Sequence, residues 1–167
     1  MAVFPIRTYP DPVLRTPAGA VARIDDDVRR LVADMLETMY AAPGVGLAAP
    51  QIGVALRVVV FDIGDGPHHL INPVLLETGG SWTFDEGCLS VPNRYWSVRR
   101  PGFSRARGLD LEGNEVEYAG EELLGRVLQH EIDHVQGTVI LDRLPRRTRK
   151  QALKDLREEA LGLGETA

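Results

Sequence analysis

Apolar side chains recur at helical spacing along two stretches of the chain. Residues 25–42 contain six apolar positions three or four residues apart, which predicts a helix with one buried face. A second helix is predicted over residues 121–136, because Gly137 suits the position just after a helix C-terminus. The apolar positions are Val28, Leu31, Val32, Met35, Leu36 and Met39 in the first helix, and Leu124, Leu128 and Val135 in the second.

A third predicted helix, over residues 146–161, is dominated by charge. Its first residues are basic and its later residues carry both signs, which is typical of a helix on the protein surface. Leu153, Leu156 and Ala160 lie on one side at helical spacing and are expected to face inward. The remaining side chains are expected to lie in solvent.

Between the helices the pattern changes to short runs of β-branched and aromatic residues. Strands are predicted at residues 56–64, 68–77 and 94–100, and a hairpin at 104–120 around a turn at 112–114. Residues 43–53, which contain three glycines, are predicted to form a loop. Because the strands follow one another without regular helical crossovers, the sequence predicts an α+β fold with mostly antiparallel sheet.

Length, charge and composition narrow the class of protein. A chain of 167 residues suits one domain over residues 1–167. A net charge of −5 argues against nonspecific binding to nucleic acid or to an anionic membrane, and no specific nucleic-acid motif stands out. No apolar run approaches the roughly 18 residues of a membrane helix, and the first residues lack a signal-peptide pattern. The cytoplasm is therefore the expected location.

The candidate chemistry lies in the second predicted helix. His130 and His134 are four residues apart, so both imidazoles can reach one metal ion from the same helix face. Glu131 follows the first histidine, where its carboxylate can accept a proton from an activated water without binding the ion. The pattern predicts a catalytic metal site, and the alternative is a pair of surface histidines beside a solvated glutamate.

A catalytic site of this kind normally has three protein ligands. No histidine follows His134, and the acidic residues downstream are not placed persuasively. Cys88 lies in a predicted loop after Gly87, which lets the backbone turn sharply so that the sulfur can point inward. Because a thiolate binds such an ion strongly, this cysteine is the better candidate for the third ligand. The acidic alternatives are Asp142, Asp155, Glu158 and Glu159.

Two other functions fit parts of the same pattern. A zincin-type endopeptidase would use the same two histidines with an acidic third ligand. A binding module with a closed structural metal site would need a fourth ligand, for which His68 and His69 are the remaining histidines. Both lie near the start of a predicted strand, where they are expected to be exposed rather than bound to metal.

Three segments together resemble the motifs of the peptide deformylases. They are GVGLAAPQ at residues 44–51, EGCLS at 86–90 and HEIDH at 130–134, in the family's order and at fitting separations. YPDPVLR at residues 9–15 and LDRL at 141–144 also agree with the family. The resemblance covers nearly the whole chain. It implies antiparallel sheets packed around a central metal-binding helix, with an N-terminal and a C-terminal helix, in the compact bacterial form.

The resemblance also implies an activity and a cofactor. The family removes the formyl group from the N-terminal formylmethionine of nascent peptides and releases formate. Its ion is usually ferrous iron, Fe2+, with Zn2+, Ni2+ or Co2+ as substitutes. Carried over by position, Cys88, His130 and His134 would bind the metal, and Glu131 would be the general base and later the proton donor. The partners would be N-formyl-methionyl nascent peptides, with contact to the ribosome left open.

The resemblance further implies that Gln51 and the backbone N–H of Leu89 stabilise the oxyanion, and the alternative for Gln51 is a surface turn residue. From its residue type and position, Glu86 is expected either to orient a ligating histidine or to lie exposed. Asp133 is expected to be a structural hydrogen-bond or salt-bridge partner. The resemblance implies that the backbone at Val45 and Gly46 helps to align the substrate. The residues expected either to line the pocket for the methionine side chain or to belong to the ordinary core are Val45, Phe84, Leu123 and Val127. The segment containing Arg94, Tyr95 and Trp96 does not match the family clearly, so these side chains either contact the peptide or pack at the rim.

Overall fold

The computed structural model describes residues 2–162, which form three α-helices and seven β-strands. Helix α1 spans Asp26–Ala41, α2 spans Glu122–Val135 and α3 spans Arg146–Ala160. Short 3₁₀ turns occur at Pro12–Arg15, Ala49–Ile52 and Ile140–Arg143. The strands are β1 (Gly46–Ala48), β2 (Val58–Phe61), β3 (His68–Gly79), β4 (Trp82–Cys88), β5 (Val91–Arg100), β6 (Phe103–Leu109) and β7 (Glu115–Glu121).

The strands form two antiparallel sheets. One contains five strands in the order β1-β2-β3-β6-β7, and the other is the ribbon of β4 and β5. The predicted α+β class, the three helices and the hairpin of β6 and β7 are therefore confirmed. Asp25 caps α1 as its sequence suggests, because its side chain accepts the backbone N–H of Val28 at 3.1 Å.

The five-stranded sheet lies between α1 and α2. Strand β2 shows why, because its four consecutive apolar residues are all buried and alternate between the two faces. Val58 and Val60 pack against α1, whereas Val59 and Phe61 pack against α2. A strand that is apolar on both faces requires a layer on each side, so α1 and α2 cover opposite faces of the sheet at β2.

Helix α2 approaches the sheet unusually closely at Gly125. A Cβ atom added there would lie 2.7 Å from the carbonyl oxygen of Gly120 and 2.8 Å from that of Gly102. The hydroxyl of Ser104 on β6 donates to the Gly125 carbonyl at 2.9 Å, which fixes this contact. Every residue of α2 from Gly125 to Val135 is buried, polar side chains included.

Three local predictions are wrong. Residues 43–53 are not only loop, because they contain β1 and a 3₁₀ turn. Cys88 is the last residue of β4 rather than a loop residue, and β4 itself is absent from the prediction. Ala160 is exposed, while Ala152 is the buried alanine of α3, because α3 contacts the protein along the line of Ala152, Leu153 and Leu156.

No helix within residues 2–162 combines the length and the apolar character that crossing a bilayer requires.

Candidate metal centre

Three side chains from two distant elements converge on one point. His130 and His134 lie one turn apart on α2, and their Nε2 atoms are 3.2 Å from each other. The Sγ of Cys88, at the end of β4, lies 3.4 Å from Nε2 of His134. The three ligand atoms all lie within 4.8 Å of one another, and all three residues are buried or nearly so.

The spacing of these atoms fits a tetrahedral metal ion. Bonds of about 2.3 Å to sulfur and about 2.0–2.1 Å to nitrogen place two nitrogens about 3.3 Å apart and sulfur and nitrogen about 3.6 Å apart. The observed separations of 3.2 Å and 3.4 Å are close to these values. One thiolate and two imidazoles also form a donor set that suits divalent transition metals. The Cys88, His130 and His134 group is therefore a metal site.

Glu86 orients His130 through Nδ1, the ring nitrogen that does not face the metal site. Its Oε1 lies 2.6 Å from Nδ1 of His130. Burial alone raises the pKa of this carboxyl, but the hydrogen bond and charge of His130, together with Arg100, outweigh burial and lower the pKa to about 2. An ionised Glu86 can only accept a hydrogen bond, so Nδ1 of His130 carries a proton, and Nε2 is the nitrogen that faces the metal site.

A buried charge network holds Glu86 in turn. Arg100 on β5 donates to both carboxylate oxygens of Glu86, at 3.1 Å and 2.8 Å, and Arg126 on α2 adds a third contact at 3.0 Å. Arg100 also donates to Asp133 at 2.7 Å, and Arg143 holds the same carboxylate through two hydrogen bonds. The expectation that Asp133 is a structural partner is confirmed. These contacts explain how α2 buries so many polar side chains.

We expect Glu86→Gln to weaken metal binding by about 10–100-fold, the usual effect of losing a group that orients a ligating histidine. The same change should lower the free energy of unfolding by about 3–5 kcal/mol, because Arg100 and Arg126 stay buried without their carboxylate. Chelator competition measures the first effect and urea unfolding the second. Glu77→Gln, at an exposed carboxylate paired with Arg105, is the matched control and should change neither.

The contribution of Glu86 to the free energy of unfolding should depend on pH in a defined direction. Its folded-state pKa of about 2 lies below the ordinary value of 4.5, so its stabilisation is complete above about pH 4.5. It is lost as the pH falls from 4.5 toward 2. The stability difference between the parent protein and Glu86→Gln should therefore narrow in this window, and a difference that stays constant would contradict the assignment.

Burial and neighbouring charges shift the pKa values of the ionisable groups in the site. Burial alone raises the pKa of the Cys88 thiol, but the neighbouring His134 and His130 outweigh it and lower this pKa well below its usual range. Burial raises the pKa of Glu131 above its ordinary value, although the two histidines oppose part of that shift. Oε2 of Glu131 is buried without a hydrogen-bond partner. A carboxylate in this state is a stronger proton acceptor than one in water.

Gln51 reaches the site from the 3₁₀ turn after β1. Its Oε1 accepts the backbone N–H of Ala48 at 2.9 Å, which directs the amide Nε2 toward the metal group. This nitrogen lies 3.1 Å from Oγ of Ser90 and 3.8 Å from Sγ of Cys88. Gln51 is almost completely buried, so its orientation is determined by these contacts.

A cleft of about 930 Å³ opens onto this group. Its volume is in the range typical of ligand sites. Gly46 lies beside Glu131, and a Cβ atom there would be 2.6 Å from Oε1 of that residue and 2.8 Å from Cγ2 of Val127. A side chain at position 46 would therefore displace the carboxylate. The cleft is lined by the predicted oxyanion-stabilising residues Gln51 and Leu89. The predicted substrate-binding residues also line it: Val45, Gly46, Phe84, Leu123 and Val127.

The rival ligands predicted from the sequence are engaged elsewhere. His68 stacks on Phe61, and Nε2 of His69 accepts the backbone N–H of Leu111. Neither histidine belongs to the metal group found among the described residues. The acidic alternatives also have other partners: Asp142 pairs with Arg15 and Arg149, Asp155 with Gln151, Glu158 with Lys154 and Glu159 with Arg94.

Two groups of residues were not predicted. Arg100 and Arg126 complete the network around Glu86, but a long-range ion pair leaves no local pattern in a sequence. Ser90 positions Gln51, and its place in the EGCLS segment was the available signal.

The sequence left two alternatives for the segment after the cysteine motif. Trp96 packs against the core cluster around Cys88 rather than on the rim, whereas Tyr95 is 75% exposed beside the cleft.

Comparison with known proteins gives the same assignment. The family model described as polypeptide deformylase matches residues 3–150. A peptide deformylase of Clostridium botulinum is 50% identical over 143 residues, which cover 86% of this chain and 97% of the relative. One of Acidothermus cellulolyticus is 48% identical over 158 residues, which cover 95% of this chain and 88% of the relative.

Solved structures agree in fold as well as in sequence. The crystal structure of peptide deformylase from Thermus thermophilus superposes with a TM-score of 0.89 at 41% identity, covering 96% of this chain and 97% of that one. The family model spans most of the chain, and the relatives and the solved structure agree with it. The metal site combines Cys88 of β4 with His130 and His134 of α2, the helix where the motif predicted it. The chain belongs to the peptide deformylase family, the metal-dependent hydrolases that remove the formyl group from N-terminal formylmethionine.

Proposed function

We propose that this protein removes the formyl group of N-formyl-methionyl nascent peptides, with one divalent ion held by Cys88, His130 and His134 and with Glu131 as the acid–base residue. The main support for the proposal is the environment of the Glu131 carboxyl. It is buried, one of its oxygens has no hydrogen-bond partner, and it lines the same cleft as two of the three ligands. No structural role accounts for an unsatisfied carboxyl at that position.

Glu131 has two tasks in this reaction. When bound, a divalent ion would supply Lewis acidity, which lowers the pKa of water toward neutrality. Glu131 accepts the proton of the attacking water, and its pKa, raised by burial, makes it a suitable acceptor. The C–O bond forms at the formyl carbon. Glu131 then gives the proton to the amide nitrogen as the C–N bond breaks, which yields formate and a free N-terminus.

Gln51 and Leu89 receive the negative charge that develops on the formyl oxygen. Nε2 of Gln51 is held in the site by Ala48 and Ser90, so it is oriented before substrate binds. The backbone N–H of Leu89, the residue after Cys88 in the chain, is the second donor. Donors that are already in place cost no reorganisation during the reaction, and losing one typically costs about 10²–10³ in turnover.

The methionine side chain occupies the inner part of the cleft. Val127 and Leu123 of α2, Phe84 of β4 and Val45 before β1 supply apolar surface there. Gly46 leaves room for Glu131 and lets the substrate backbone pass close to β1. When methionine is buried against these residues, the formyl carbon would lie beside Glu131, which lines the same cleft.

The ion in the cell is Fe2+ in this proposal, with Zn2+, Ni2+ or Co2+ as functional substitutes. A thiolate and two imidazoles accept all of these ions, so availability decides which one is bound. Residues 1–167 act as a single catalytic domain in the cytoplasm, where nascent chains emerge from the ribosome.

The proposal is tested by metal analysis of anaerobically purified protein, paired with an assay of formate release from formyl-Met-Ala-Ser. We expect about one ion per chain and one formate per peptide. In the same assay Gln51→Ala should lower turnover by about 10²–10³, with the ion retained. Gln151→Ala, at an exposed glutamine on α3, is the matched control and should match the parent. Metal-loaded protein that releases no formate would refute the proposal.

A further inference from the structure

Tyr40, near the end of α1, makes a hydrogen bond to a residue far along the chain. Its hydroxyl donates to Oδ2 of Asp62, the residue after β2, at 2.6 Å. Tyr40 is 48% exposed, and among the residues that the structure describes its ring belongs to none of the three core clusters. Both groups could hydrogen-bond to water instead. The contact is therefore not explained by the need to pair buried polar groups.

Asp62 takes part in four hydrogen bonds. Besides Tyr40, its carboxylate accepts the backbone N–H groups of Gly64 and Gly66, at 2.8 Å and 3.2 Å. Its own backbone N–H donates to the carbonyl of Val45 at 2.9 Å. The hydrogen bonds from Tyr40 and Gly64 lower the pKa of Asp62 below its ordinary value, so the carboxylate is ionised near neutral pH. The Tyr40 hydroxyl thus meets a fixed and charged acceptor.

The Tyr40–Asp62 contact closes the connection between α1 and β1. Strand β1 has three residues and lies at the edge of its sheet, next to β2. The backbone N–H of Gly44 donates back to α1 at 2.8 Å, and the carbonyl of Val45 is held by Asp62. Tyr40 joins α1 directly to the residue that holds Val45. The contact is therefore a further tie on the segment that leads into β1.

This segment, residues 44–46, packs against two groups that act on the formyl amide in the proposed reaction. A Cβ atom at Gly44 would lie 2.8 Å from Cδ1 of Leu89, whose backbone N–H is the proposed oxyanion donor. A Cβ atom at Gly46 would lie 2.6 Å from Oε1 of Glu131, the proposed acid–base group. Because both contacts are so close, a small shift of the segment changes the surroundings of both groups. Displacements well below 1 Å are enough to slow a reaction.

We propose that Tyr40 and Asp62 are positioning residues for the deformylation reaction. Their hydrogen bond holds residues 44–46 in place, and this segment keeps the groups at Leu89 and Glu131 in reacting geometry. The inference rests on the proposed function, which gives those two groups their roles. Among the described residues, Tyr40 and Asp62 are not part of the cleft lining, so they act through the segment rather than on the peptide. The effect should therefore appear in kcat more than in KM.

The first test is Tyr40→Phe, which removes one exposed hydroxyl and keeps the ring. With formyl-Met-Ala-Ser, kcat per bound ion should fall about 2–10-fold, the factor that corresponds to the net strength of one hydrogen bond. KM and metal content should stay at the parent values. Tyr118→Phe, in an aromatic cluster with Phe61 away from the cleft, is the matched control and should keep the parent kcat. An unchanged kcat for Tyr40→Phe, or a rise in KM alone, would overturn the inference.

A double-mutant cycle tests whether the two residues act through their mutual contact. Asp62→Asn should lower kcat by a similar factor, and the double variant Tyr40→Phe, Asp62→Asn should be no slower than the slower single variant. Independent effects would multiply instead and would contradict the inference. Asp65→Asn, at an exposed carboxylate of the same loop that pairs with His68, is the matched control and should match the parent.

Amide hydrogen exchange separates positioning from general destabilisation, and it does not depend on activity. The N–H of Asp62 is held by Val45, so its exchange should become about 2–10-fold faster in Tyr40→Phe, while the amides of β6 and β7 keep the parent rates. Equal acceleration in every strand would show a purely structural effect and overturn the inference. If the metal-loaded parent releases no formate, the proposed function fails instead, so the two failures are distinguishable.

Discussion

Replacing Glu131 by glutamine is expected to lower formate release by about 10²–10⁴-fold while the ion stays bound. This is the usual contribution of a positioned acid–base group, and here one carboxyl both accepts and donates the proton. Glutamine keeps the size and shape of the side chain, so Cys88, His130 and His134 remain in place. The measurement is formate release per bound ion, with the metal content of each sample determined in parallel.

The control for this variant is Glu158→Gln, which removes a carboxylate from the surface of α3. It should retain the activity and metal content of the parent. The thermal midpoint of Glu131→Gln should not fall, because the change removes a charge that burial disfavours. Full formate release by Glu131→Gln at full metal occupancy would show that another group moves the proton.

The parts of the fold that were predicted correctly have strong local periodicity. Helix α1 has six apolar positions and a capping aspartate, and β2 is a continuous β-branched run. Strand β4 was missed because its sequence, WTFDEGC, alternates weakly and contains Glu86, which reads as an exposed residue. The burial of that carboxylate depends on Arg100 and Arg126, which lie 14 and 40 residues away in the chain.

In the metal site too, residues with a local sequence pattern were predictable and residues that depend on distant contacts were not. His130, Glu131 and His134 are predictable because one helical turn places them together whatever surrounds the helix. Cys88 was identified because a thiolate is a strong metal ligand. Its proximity to the two histidines is visible only in the structure, where β4 ends beside α2. The position of the first residues was not predictable either. Two hydrogen bonds, from Ala2 to Asp34 and from Phe4 to Thr38, attach them to α1 and connect residues more than thirty positions apart.

Replacing Cys88 by alanine is expected to remove the metal together with the activity. Two imidazoles on one helix turn would remain, and a catalytic ion normally requires three protein ligands. We expect purified Cys88→Ala to contain well under one tenth of an ion per chain after desalting, with formate release near background. Cys88→Ser, which offers oxygen in place of sulfur, should bind the ion more weakly than the parent, because oxygen is the harder donor.

Thiol labelling provides an independent readout, because Cys88 is the only cysteine in the chain. In metal-loaded parent protein the sulfur should react slowly with a thiol reagent, and removing the ion with a chelator should accelerate the reaction. The same titration distinguishes the rival function. A peptidase that used an acidic third ligand would leave Cys88 equally reactive with and without metal, and Cys88→Ala would keep its ion and cleave internal peptide bonds. The separation of 3.4 Å between Sγ and Nε2 of His134 argues for the first outcome.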